Sequence, residues 1–111
     1  MLFRSVEHPT FEREVAIVRL RVPDVAETLA RQVAAAVEAM RGLPLYKPPG
    51  VAETIDWATA LGKLGTAQLD EKTVLSTLGT VLKYREDQDK VRMHAAEAIV
   101  RKAIERAAAR A

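Results

Sequence analysis

Gly42-Leu43-Pro44-Leu45-Tyr46-Lys47-Pro48-Pro49-Gly50 runs directly into Val51-Ala52-Glu53-Thr54-Ile55-Asp56-Trp57-Ala58, and this passage decides how the chain is read. Its three prolines remove backbone donors and hold the first part extended. The second part changes to helical spacing, with Val51, Ile55 and Ala58 on one side and Trp57, Leu61 and Leu64 on another. The pattern predicts a stiff loop delivering a helix over residues 51–63, ended by Gly62 and Gly65. Apolar over much of its girth, that helix is expected to be the central one. Its first turn offers free N–H groups and a positive dipole end, which suit a phosphate or carboxylate. Alternatively, Glu53 satisfies those donors and the segment is a plain helix start.

Working outward, the same periodicity predicts helices on both sides and no substantial strand. Upstream, Thr10 is placed to cap a helix that buries Phe11, Val15, Val18 and Val22 and stops at Pro23. Asp24 and Glu27 form a capping-box-like pair for a second helix. Its stripe is Leu29, Val33, Ala36, Val37 and Met40, and Gly42 ends it. The tight reversal at Pro23 and Asp24 makes these two an antiparallel pair. Downstream, Asp70 caps a fourth helix striped by Val74, Leu75, Leu78, Val81 and Leu82. A fifth runs from about Glu86 to near the end, with Met93, Ala96, Val100, Ala103, Ala107 and Ala111 on one side. Mostly alanine, that stripe buries little area per residue, so this end is expected to fray or to await a partner. The fold class is all-α, a small bundle of about five helices. Trp57, Ile55, Val33, Val37 and Leu78 are expected inside it.

Composition agrees with one small domain. The chain has 111 residues, 49% of them hydrophobic but only 5% aromatic, so the core is built from Ala, Val, Leu and Ile. There is no cysteine, which excludes disulfides and thiolate metal sites. No run of 18 apolar residues spans a bilayer, and no secretory signal opens the chain, so a cytoplasmic location is expected. Net charge is +2, unevenly placed. Residues 90–111 hold six basic residues against Glu97 and Glu105, a net +4, which leaves −2 for the other 89.

The sequence offers little catalytic chemistry. There is no phosphate-binding loop and no GxGxxG. His8 and His94 stand far apart with no ligand at metal spacing, and both read as surface residues. Ser76 lies in a helix without a base nearby. Glu53 and Asp56 share a helix face, as carboxylates on helices routinely do. No catalytic residue and no metal site are assigned.

Three segments, in order, resemble the lid of MoxR-type AAA+ ATPases, in the branch encoded beside carbon monoxide dehydrogenase and related molybdenum hydroxylases. The first is Glu7-His8-Pro9-Thr10-Phe11-Glu12-Arg13-Glu14 with Ile17-Val18-Arg19-Leu20-Arg21-Val22-Pro23. The second is Tyr46-Lys47-Pro48-Pro49-Gly50-Val51-Ala52-Glu53-Thr54-Ile55-Asp56-Trp57-Ala58. The third is Leu78-Gly79-Thr80-Val81-Leu82-Lys83-Tyr84-Arg85-Glu86-Asp87. The resemblance implies a lid over residues 6–90, followed by a basic helix at 91–111. It also implies ATP and Mg²⁺ held by a separate AAA+ core, assembly with neighbouring ring subunits, and work beside a von Willebrand factor A domain protein in maturing a metalloenzyme. Lacking Walker A and Walker B, this chain is expected to hold neither ATP nor Mg²⁺ alone and to hydrolyse no ATP. Lys47, Gly50 and Val51 are the lid positions the resemblance would turn toward nucleotide. Ala52 stands where many such lids carry an arginine that reaches the γ-phosphate, so a direct lid role in hydrolysis is not implied.

The family pattern breaks off before Glu7. Val6 can stand for the last residue of a core strand, but Leu2-Phe3-Arg4-Ser5 does not fit one. Those four match a translation of a common sequencing adapter end, CTC TTC CGA TCT. Residues 1–5 are therefore expected to be non-native or a core-strand remnant, loosely placed, on an incomplete reading frame. Two other readings compete with the lid: a free-standing helical protein-interaction module, and a nucleic-acid binder using Arg92, Arg106 and Arg110. The last is disfavoured because no aromatic residues interleave the basic face.

Overall fold

The computed structural model describes residues 8–109, which are helical, with no strand among them. The expectations for residues 1–5, for Arg110 and for Ala111 fall outside the described residues. Helix α1 spans Phe11–Arg21, and Thr10 caps it through its hydroxyl oxygen, which accepts from the Arg13 N–H at 3.3 Å. Helix α2 spans Glu27–Arg41, α3 Val51–Lys63, α4 Glu71–Ser76 and α5 Leu78–Val81. Helix α6, Arg85–Lys90, passes through a π-turn at Val91–Ala95 into α7, Ala96–Ala108.

The central element is α2 rather than α3. Every residue from Leu29 to Val37 is buried, as is Met40, because α2 packs against α1, α3 and α7 together. Its interior includes Arg31 and Gln32, polar residues that a stripe analysis leaves on the outside. Helix α3 buries Trp57, Ala58 and Leu61 but leaves Ile55 half-buried and Leu64 exposed. Val33, Val37 and Leu78 are buried as expected.

Asp24 does not cap α2. The helix starts later, with Ala26 at its N-cap and no side-chain bond there. Buried Val25 sits in the connection, and seating it carries Asp24 out of capping position. Glu27 approaches Arg19 of α1 instead, at 3.8 Å.

The fourth helix is likewise broken, at Thr77. That residue leaves helical geometry, and its hydroxyl accepts the indole N–H of Trp57 at 2.7 Å while donating to the Thr73 carbonyl at 2.8 Å. The side chain serves the buried indole, and α5 restarts in a new direction.

The last helix does not wait for a partner to be packed. Val91, Ala96, Ile99, Ala103 and Ala107 are buried, and α7 lies along α2. A π-turn holds one residue more than an α-turn, which rotates the preceding turn by about 100°. That rotation brings Val91 inward and leaves Met93, an expected core residue, 71% exposed. The end of α7 is tied by Arg31, which donates to the carbonyls of Ala107 (2.8 Å) and Ala109 (3.0 Å). A cation at a helix C-terminus satisfies free carbonyls and complements the dipole. The same guanidinium pairs with Glu12 and lies over the Phe11 ring.

Helix α3 ends on Gly65, at φ +73°. The Thr66 N–H reaches the Leu61 carbonyl and the Gly65 N–H reaches that of Gly62, the paired bonds of a Schellman stop.

Candidate functional site

Helix α3 receives its N-terminus from the proline loop at a junction built on a buried ion pair. Glu14 lies at i+3 from Phe11 on the inner face of α1 and is 1% exposed. Arg41, in the last turn of α2, meets it with two parallel hydrogen bonds of 2.6 and 2.8 Å, the bidentate geometry that carboxylate and guanidinium favour. Thr54 of α3, fully buried, donates to the same carboxylate at 2.7 Å. Arg41 also donates to the Pro49 carbonyl at 2.8 Å, which fixes the end of the loop. One carboxylate and one guanidinium thus join α1, α2, α3 and the loop.

A second clamp holds the loop's middle. Asp87 of α6, fully buried, accepts from the backbone N–H groups of Tyr46 (2.8 Å) and Lys47 (2.9 Å). Lys90 donates to the Pro44 carbonyl and lies over the Tyr46 ring, which in turn tilts against Tyr84. Prolines have no N–H to spend on regular structure, and side chains from neighbouring helices meet the Tyr46 and Lys47 N–H groups and the Pro44 and Pro49 carbonyls.

The residues singled out from sequence occupy this junction in different ways. Gly50 is the N-cap of α3, and its N–H donates to Glu53 at 2.8 Å. This is the Glu half of a capping box; glycine has no side chain for the other half. Glu53 therefore takes one donor at the helix start, as the plain reading of this segment anticipates. Val51 is half-buried, while Ala52 and the Lys47 side chain are exposed. What anchors Lys47 is its backbone N–H on Asp87. Among the described residues no buried side-chain nitrogen or oxygen lacks a partner, and no cluster of three metal-ligating side chains is present.

His8 is exposed beside this junction, with its imidazole held below its ordinary pKa by partial burial and by the Arg41 guanidinium, against the opposing pull of Glu14. His94 and Ser76 are exposed. On the basic helix, Arg92 pairs with Asp89, and Arg106 pairs with Glu38 and lies over Phe11. No helix among the described residues is long and apolar enough to cross a membrane.

Sequence reasoning did not single out Glu14, Arg41 or Asp87. One signal was available for Glu14: it shares the helical phase of Phe11, Val15 and Val18, and a charge inside an apolar stripe requires a buried partner. Asp87 gave no such signal, because its phase depends on the π-turn that follows it. No family model matches this chain, and no curated protein or solved structure matches it.

Proposed function

We propose that this chain is the helical lid of a MoxR-type AAA+ ATPase, of the branch concerned with maturing carbon monoxide dehydrogenase and related molybdenum hydroxylases. One observation carries the reading: the three segments that resemble that lid make direct contact in space. Glu14 of the first bonds Thr54 of the second, and Asp87 of the third holds Tyr46 and Lys47 of the second. A lid that passes nucleotide state onward needs a rigid path between its attachment and its loop, and these buried bonds supply one. In this reading ATP and Mg²⁺ belong to the core, and the lid turns Lys47, Gly50 and Val51 toward it. Ala52 brings no charge, so any lid contribution to phosphate binding comes from Lys47 or backbone groups.

The locus is the first test. An upstream continuation of the reading frame should encode a phosphate-binding loop and an acidic Mg²⁺ motif roughly 200 residues away, the usual size of such a core. Joined to that core, the chain should raise ATP turnover and ring assembly above those of the core alone. A start codon with its own ribosome-binding site at Met1, or a core indifferent to the chain, overturns the proposal. The second reading, a free-standing interaction module, draws on one observation: among the described residues every buried side-chain nitrogen and oxygen already has a hydrogen-bond partner within the chain.

A further inference from the structure

Two faces that carry exposed apolar side chains, Leu20 on one and Ile104 on the other, are opposite in charge. On α1, Arg13, Ile17, Leu20 and Arg21 stand at i, i+4, i+7 and i+8 and share one side. Leu20 is 79% exposed and Ile17 half-buried, and neither guanidinium makes an ion pair among the described residues. The acids of α1 are drawn away, Glu12 to Arg31 and Glu14 to Arg41. What remains is an apolar pair between two positive charges that no described residue pairs.

Between α4 and α7 lies a groove of about 420 Å³, lined by Glu71, Glu97, Val100, Arg101, Ile104 and Glu105. Val100 and Ile104, one turn apart, supply its apolar surface, and Ile104 is 41% exposed. Three carboxylates border it against one guanidinium, and Arg101 leans toward Glu97 at 4.0 Å.

We propose that the α1 face of one copy of this chain docks into the α4–α7 groove of a second copy. Ile17 and Leu20 would cover Val100 and Ile104, with Arg13 and Arg21 meeting the acidic border. Charge fixes the pairing as head to tail. Two α1 faces together set arginine against arginine, and two grooves set carboxylate against carboxylate, arrangements that like-charge repulsion suppresses. A head-to-tail contact uses different patches on the two copies, so it can propagate or close into a ring. With two apolar residues on each side the contact belongs to the weak, transient class, so association is sought at chain concentrations of about 0.1–1 mM. This inference does not depend on the lid reading.

The test is sedimentation velocity on the full chain across that concentration range, in low salt and in about 1 M NaCl, where the screening length falls to ~3 Å. The weight-average sedimentation coefficient should rise with concentration and should fall back in high salt. Leu20→Asp removes the α1 face, and Ile104→Asp removes the groove; each variant alone should stay monomeric. Mixed, they retain one good face each and should form a one-to-one dimer. If Ile104→Asp loses its helical circular dichroism, Glu97→Lys with Glu105→Lys disables the same border at exposed positions. A wild-type chain monomeric throughout the range overturns the proposal. So do single variants that still associate, or a mixture that stays monomeric when the wild type does not.

Discussion

The α3 junction and the α2–α7 seam hold the molecule together by opposite means. At the junction, few groups do much: Glu14, Arg41, Thr54 and Asp87 are charged or polar, almost wholly enclosed, and each ties its own helix to another element. Along the seam, many groups each do little: α7 packs along α2 and both helices are rich in buried alanine, Ala96, Ala103 and Ala107 on α7 and Ala30, Ala34 and Ala35 on α2, with Ile99 the largest buried side chain of α7. Small side chains allow close helix approach but bury little area. A region of the first kind fails when one partner is removed. A region of the second kind fails when something is added.

The largest effect should therefore come from Glu14→Ala. It strands the Arg41 guanidinium away from water, a loss of about 3–5 kcal/mol, read as a Tm drop of about 10–20 °C. The double variant Glu14→Ala with Arg41→Ala should lose less than the two singles added together, because the groups act as a unit. Additivity would break the comparison, reducing the junction to independent contacts.

At the seam the informative change is enlargement. Ala103→Leu inserts bulk at a fully buried position and should cost about 1–3 kcal/mol by urea denaturation. A neutral result would show slack between α2 and α7 and would sharpen the contrast in the other direction.

Two glycines separate backbone from packing as the source of cost. A Cβ at Gly65 or at Gly79 meets no atom within 4 Å, yet only Gly65 has positive φ. Gly65→Ala should cost about 1 kcal/mol through the left-handed backbone alone. Gly79→Ala should be neutral or stabilising by up to ~1 kcal/mol. Equal thermal shifts for the two would remove the role given to the α3 stop.

The smallest effect concerns His8. Its folded-state pKa lies below the unfolded value, so the unfolded chain binds the proton more readily. Stability should be fully present above the ordinary imidazole value and should decline as pH falls through it. His8→Gln should flatten that slope in urea titrations between about pH 5.5 and 7.5. An unchanged slope would remove His8 from the electrostatic surroundings of the junction.

Much of this architecture was legible in the sequence, and the parts that were not share a physical cause. Apolar spacing located α1, α2 and α3, and the Thr10 and Asp70 caps stood where short polar side chains precede apolar runs. Periodicity failed where a side chain served a distant element. Thr77 broke a helix to receive Trp57, Arg31 entered the core to hold the end of α7, and Val25 displaced the start of α2. Thr77 and Arg31 answer to partners far away in sequence, which local spacing does not encode. At the junction, Gly50 and Glu53 were readable because they lie three residues apart, whereas Asp87 and Lys47 lie forty apart.

The π-turn at Val91–Ala95 has a consequence for how the last helix can change. A regular helix is a rigid screw: the direction of any side chain fixes the direction of all the others. One additional residue slips the thread by about 100°. Here the slip lets Asp87 aim at the proline loop while Ala103 and Ala107 aim at α2, directions an unbroken helix of the same sequence would not supply together. Deleting one residue from this turn would restore the thread and force a choice between loop and seam. With the slip in place, the two halves of the helix are separately adjustable, and substitutions that retune α7 need not disturb the aim of Asp87.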